Sequence, residues 1–113
     1  MSQYNKPRHR VTIRPRAIED IQKLATYLEI NATAEVVQRF RASIMETVEQ
    51  IEQMPGAGAP RQVNNLRLSG LRMRSVRGFR DYLIFYITPL GTIEIIRLLH
   101  GAQDVGSILE NQE

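Results

Sequence analysis

Two apolar runs, residues 82–87 (YLIFYI) and 93–101 (IEIIRLLHG), constrain the fold more than any other part of the chain. Both runs are rich in β-branched and aromatic residues, and the short link between them contains Pro89 and Gly91, so the pattern predicts a β-hairpin. Strand side chains alternate between two faces, and here both faces are apolar. One face carries Tyr82, Ile84 and Tyr86, and the other carries Leu83, Phe85 and Ile87. The hairpin therefore needs cover on both sides.

Two amphipathic helices are predicted before the hairpin. Pro15 suits the first turn of a helix, and apolar residues follow at helical spacing from Ala17 to Leu28. A second apolar stripe runs from Val37 to Ile51 and ends before Pro55. Two helices joined by a short link form an antiparallel pair, which covers one face of a small sheet. We therefore expect the other face to be covered by a partner.

The polar side of the first helix is predicted to carry most of its charged residues, namely Glu19, Asp20, Lys23 and Glu29.

The remaining elements complete an α+β fold. Residues 11–13 predict an edge strand, and residues 71–77 alternate apolar and basic side chains, which predicts a strand with an arginine face. With the hairpin this gives an N-terminal strand and a two-helix hairpin packed on one face of a small, mainly antiparallel sheet. Residues 102–109 fit one short helical turn or a strap over the sheet edge. We expect one domain over residues 11–110 after a basic, poorly ordered tail at residues 1–10.

Composition excludes several kinds of site. The chain of 113 residues has no cysteine, and its two histidines, His9 and His100, are far apart in sequence, so we expect no metal and no cofactor. No apolar run approaches the roughly 20 residues of a membrane helix, and the first ten residues lack the apolar region of a signal peptide. These patterns predict a cytoplasmic protein that does not enter the membrane.

Arginine is concentrated in one part of the chain. Six arginines and no acidic residue lie in residues 54–80, and three of the six, Arg72, Arg74 and Arg77, belong to the predicted arginine strand. Such asymmetry indicates a basic surface that meets an acidic partner or nucleic acid. The alternative is a solvated edge strand protected from aggregation by its charges.

The order of these elements, together with several short motifs, resembles the RelE/ParE superfamily of bacterial toxins. The motifs are Pro15-x-Ala17-x-x-Asp20-Ile21, Pro55-Gly56, Leu71-Arg72, YLIFY at residues 82–86, and IIRLLHGAQD at residues 95–104. The last is similar to a ParE signature that has Arg at the position of Gln103. The resemblance implies a toxin of a type II toxin-antitoxin system, a ParD-like antitoxin partner with a flexible, often acidic segment, and DNA gyrase as the target.

RNA-cleaving RelE-like members are the main alternative. RNA cleavage needs a base, an acid and positive charge at the phosphate. The resemblance implies three positions at which such nucleases carry catalytic groups. In this chain the first holds Leu83, the second is Ala102 or Gln103, and the third lies near Leu109. A nuclease would therefore depend on Arg72, Arg74, Arg97 and His100. A non-toxic module that only binds an antitoxin is the third reading.

The candidate site residues follow from these readings. We assign no catalytic residue, and we expect the target to be contacted by Arg72, Arg74, Arg77, Arg97 and His100. Arg97 lies among apolar neighbours, so it must either pair, with Asp104 as the candidate partner, or face a site. The antitoxin-facing candidates are Leu83, Phe85 and Ile87.

Overall fold

The computed structural model describes residues 10–113, so the predicted tail lies, except for Arg10, outside the described residues. Strand β1 spans Val11–Ile13, and helices α1 and α2 span Pro15–Asn31 and Ala34–Gln53. The strands that follow are β2 at Ala59–Pro60, β3 at Arg72–Val76, β4 at Phe79–Ile87 and β5 at Ile93–His100. Helix α3 spans Val105–Glu110, and single 3-10 turns lie at Pro55–Ala57, Leu66–Leu68 and Pro89–Gly91.

The sheet has the order β1-β5-β4-β3-β2. β1 runs parallel to β5, and every other neighbouring pair is antiparallel. The predicted fold class is confirmed: an N-terminal strand and a helical hairpin accompany a mainly antiparallel sheet.

Local sequence explains where the helices begin. Pro15 occupies the first helical position of α1. Thr33 caps α2, because its hydroxyl accepts a hydrogen bond from the Val36 N–H at 3.1 Å. Only Ala32 and Thr33 separate the helices, so the two pack as a hairpin on the sheet.

The helical hairpin covers the face of the sheet that we call the helix-side face. Its core combines the apolar stripes of both helices with residues from β3, β4 and β5. The buried members are Ala17, Leu28, Phe40, Ile44, Val48, Ile51, Val76, Ile84, Tyr86, Ile93, Ile95 and Leu98.

The opposite face, which we call the far face, is covered by the chain itself, so the prediction that a partner covers it is wrong. Helix α3 and the segment between β2 and β3 fold over it. Their buried side chains complete a second core of Leu68, Leu71, Phe85, Ile87, Ile96, Leu99, Val105 and Leu109. The six-residue helix α3 buries Val105 and Leu109 and packs the partly buried Ile108 against the same core, so short elements suffice as cover.

Polar contacts hold this cover in place. The Asn65 side-chain amide donates to the backbone carbonyls of Leu109 at 2.9 Å and Gln112 at 2.7 Å. These carbonyls lie at the C-terminal end of α3 and just after it, where the last carbonyls of a helix lack partners within the helix. The Arg14 guanidinium donates to the Glu113 carbonyl at 3.2 Å. The end of the chain is therefore fixed against both the loop before β3 and the start of α1.

A buried tyrosine joins the turn after α2 to the sheet. The Tyr86 hydroxyl donates to the Pro55 carbonyl at 2.7 Å and accepts from the Gly58 N–H at 3.1 Å. A Cβ atom at Gly58 would lie 2.3 Å from that oxygen, which is impossible without movement. Residue 58 must therefore be glycine because the phenol approaches the backbone so closely.

We expect Gly58→Ala to lower the free energy of unfolding by about 2–3 kcal/mol, since it overpacks a buried site and breaks a hydrogen bond. Gly56→Ala is the matched control, because nothing lies within 4 Å of a Cβ at Gly56. Urea denaturation followed by circular dichroism measures both variants. Equal stability of the two variants would contradict the close approach.

Candidate functional site

Arg97 is the most enclosed charged residue among those that the sequence singled out. Its side chain is 8% exposed. Nε and Nη2 donate to the two carboxylate oxygens of Asp20 on α1 at 2.7 and 2.8 Å, and Nη1 donates to Gln112 Oε1 at 3.0 Å. Asp20 also accepts the Leu98 N–H at 3.0 Å. Arg97 thus connects α1, β5 and the residues after α3 through one bidentate ion pair and one amide.

The predicted pairing of Arg97 with Asp104 is wrong. Asp104 instead caps α3 by accepting the Ser107 N–H at 3.4 Å. β1 pairs with β5 only as far as Ile95, so beyond that point α1 lies beside β5 and brings Asp20 to Arg97. The sequence did carry a signal for Asp20: it lies three residues after Ala17 and four before Leu24, on the apolar stripe rather than on the polar side.

His100 ends β5 and organises the turn that follows. Its Nδ1 accepts the Ala102 N–H at 3.0 Å, and its own backbone N–H donates to Gln103 Oε1 at 2.7 Å. A neutral imidazole has one accepting nitrogen, so Nε2 carries the proton in this arrangement. The ring lies edge-on to Tyr82, with 4.9 Å between centroids. His100 is therefore a half-buried turn residue whose second ring nitrogen, Nε2, is a proton donor in the neutral form.

An aromatic cluster adjoins His100 at the same end of the sheet. The Tyr82 ring packs edge-on against Phe40 at 5.1 Å and Phe79 at 6.2 Å. The Arg39 guanidinium lies 5.7 Å from the centre of the Phe79 ring. Burial raises the pKa of the Tyr82 hydroxyl, and nearby Tyr27 and Asp81 raise it further. This phenol stays protonated at neutral pH and belongs to the packing.

Arg72 and Arg74 lie on the helix-side face of β3, opposite Tyr86 and Ile84. Arg72 Nη1 donates to the Gly58 carbonyl at 2.7 Å, and Arg74 Nη2 donates to Gln50 Oε1 of α2 at 3.2 Å. Burial raises the pKa of the Tyr86 hydroxyl, whereas the Gly58 N–H and the two arginines lower it. Both guanidinium groups are therefore half-buried near the Tyr86 hydroxyl, Arg72 against Gly58 and Arg74 against α2, rather than on an open strand face.

Arg77, the third arginine of this strand region, is exposed. Its Nη1 lies 3.6 Å from Glu46 Oε2 on α2, and its backbone N–H donates to the Thr47 hydroxyl at 3.0 Å. An exposed pair at that distance contributes little to stability.

The three predicted antitoxin-facing residues lie on the far face. Phe85 is fully buried and Ile87 is 6% exposed. Leu83 is half-buried at the edge of the same core. The proposal that Phe85 and Ile87 meet an antitoxin is therefore wrong, because α3 and the preceding segment already cover them.

The candidate residues do not converge on one centre. Arg72 lies opposite Tyr86 and His100 lies opposite Tyr82, with β4 between β3 and β5. Within residues 10–113, no three His, Cys, Asp or Glu side chains are grouped to hold a metal ion. A polar cleft of about 490 Å³ over Arg97 is lined by Arg16, Asp104, Ser107, Asn111 and Gln112. The geometry offers contact surfaces and an internal ion pair rather than a catalytic cluster.

Comparison with known protein families shows to which family this chain belongs. The sequence profile of the ParE toxin of the type II toxin-antitoxin system, parDE, matches residues 11–105. The chain belongs to the ParE toxin family. The match covers both long helices and all strands found in residues 10–113 of this ParE-family protein. No curated protein sequence matches it.

A solved structure agrees with the fold of this ParE-family toxin. A chain from a chromosomal ParDE TA system of P. aeruginosa superposes with a TM-score of 0.67 over 81% of this chain and 95% of that one. The two are 16% identical in sequence, so the likeness concerns the fold alone. None of the helices described here is long and apolar enough to cross a lipid bilayer.

Asp20→Asn should destabilise this ParE-family protein by about 3–5 kcal/mol, because it leaves the buried Arg97 charge without its carboxylate. Asp104→Asn should cost less than about 1 kcal/mol, since Asn is also a good helix cap. Thermal unfolding by circular dichroism compares the two. A greater loss in the Asp104 variant would restore the pairing predicted from sequence.

Proposed function

We propose that this ParE-family protein is a toxin that inhibits DNA gyrase without breaking a bond itself, and that a ParD-like antitoxin neutralises it. Such a target would place its action in the bacterial cytoplasm. Family membership supports the toxin role. The observation that favours gyrase over RNA is the state of His100, whose Nδ1 is occupied by the Ala102 N–H.

RNA cleavage needs a group that accepts the proton of the attacking 2′-hydroxyl. With Nδ1 engaged, the remaining nitrogen of His100 carries a hydrogen and cannot act as that base in the neutral form. The hydrogen bond between the His100 N–H and Gln103 fixes the same turn. His100 is thus suited to donate to a partner, not to accept a proton from a substrate.

The residues on which an RNA-cleaving enzyme would depend are also far from one another. Arg97 is held by Asp20 and Gln112. Arg72 and His100 are separated by two strand spacings, or about 10 Å, and by several residues along the strands. A phosphate cannot be reached by all of these groups at once, so the charge needed at a cleaved RNA phosphate is not assembled.

The decisive experiment adds the purified protein to DNA gyrase, ATP and supercoiled plasmid, and then denatures the reaction with detergent. We expect linear DNA that depends on both gyrase and the toxin. Relaxed or supercoiled plasmid without linear DNA would contradict the proposal.

A parallel assay with ribosome-bound mRNA tests the alternative. We expect no toxin-dependent cleavage. The His100→Asn variant serves as the control for contaminating nuclease, because Asn can still cap Ala102 but lacks Nε2. Cleavage by the wild type that disappears in this variant would support the RelE-like enzyme instead, and inactivity in both assays would support a module that only binds an antitoxin.

A further inference from the structure

Unlike Arg97 and Arg14, the half-buried Arg72 and Arg74 have no carboxylate partner among residues 10–113. Arg97 binds Asp20 and Arg14 binds Glu94 at 2.6 Å. Within residues 10–113, no Asp or Glu lies within ion-pair distance of Arg72 or Arg74, whose polar contacts are one carbonyl and one amide oxygen. Two half-buried cations are thus left without an internal counter-ion.

The arrangement suits an external counter-ion. A guanidinium has five N–H donors, and each of these two arginines uses one in the contacts described, which leaves donors for bidentate binding of carboxylates. The two residues are two apart on one strand, so their side chains emerge on the same side about 7 Å apart. Partial burial strengthens such contacts relative to those on a fully exposed surface.

We propose that Arg72 and Arg74 form a docking site for two carboxylates of an acidic peptide segment, which lies along the helix-side face of β3 beside α2. Charge complementarity selects the occupant, because residues 54–80 contain six arginines and no acid. The inference rests on the proposed function, in which the segment belongs to the antitoxin. It moves the expected antitoxin contact from the closed far face to the helix-side face.

Other occupants fit less well. A second copy of this chain would bring two arginine pairs together, and like charges repel. Glu46 and Glu49, which are exposed on α2, repel any anion, but nucleic acid carries a charge at every phosphate, whereas a peptide is negative only at its acidic residues.

The probe is a fluorescein-labelled peptide in which glutamate alternates with threonine, and fluorescence anisotropy measures its binding. We expect Arg72→Gln with Arg74→Gln to weaken binding at least about tenfold, since two charged hydrogen-bonding groups are lost. The matched control is Arg67→Gln with Arg80→Gln, which removes the same charge from exposed positions and should change binding less than about twofold. Arg72→Lys with Arg74→Lys should fall between them, because lysine keeps the charge but not the planar fork.

Three results would overturn the proposal: no binding of the glutamate peptide to the wild type, equal weakening in the control pair, or tighter binding of an oligothymidylate than of the peptide. If the double Gln variant fails to fold, a peptide with glutamine in place of glutamate tests the same contact on the wild-type protein. Its unchanged affinity would also overturn the proposal.

The gyrase assay separates this inference from the proposed function. A wild type that traps linear DNA but does not bind the peptide contradicts only the docking site. A wild type that binds the peptide but never affects gyrase supports the docking site and contradicts the proposed target.

Discussion

The buried pair of Arg97 and Asp20 is the contact on which the rest of the structure depends. It joins the first helix to the last strand, and through Gln112 it also holds the end of the chain that closes over the far face. A desolvated cation is tolerated here because both oxygens of one carboxylate and an amide oxygen receive its N–H groups. The pair thus links both cores, although it belongs to neither.

The sequence predicted the parts of the fold that rest on periodicity. The two-sided apolar hairpin, the helical stripes and Pro15 at the start of the first helix all carry local signals, and the structure contains each of them. The far-face cover was predicted only in part: residues 102–109 fit a short helical turn, which the structure contains as α3, but the segment before β3 has no long regular element that a pattern could indicate. Its stability comes from tertiary contacts such as those of Asn65, which local pattern cannot reveal.

The site was harder to predict for two reasons. Alternation indicated correctly that Arg72 and Arg74 share a face, but not that α2 lies beside them. Strand β5 has one residue, Ile96, without a partner on β4, and this bulge interrupts the alternation of side chains. The next side chain after Ile95 to enter the helix-side core is therefore Leu98 and not Arg97. A bulge of this kind redirects side chains, and it made the direction of Arg97 unpredictable. The partner Asp20 lies 77 residues away in sequence.

The parallel pairing of Val11 with Ile93 has a consequence for translation. The first strand has no place in the sheet until the last strand has been synthesised, and domains of this size generally fold as units during synthesis. A nascent chain that stalls before β5 would also leave the α1 carboxylate without its cation. Incomplete products should therefore be inert and readily degraded, so that toxicity arises only once nearly the whole polypeptide has been made.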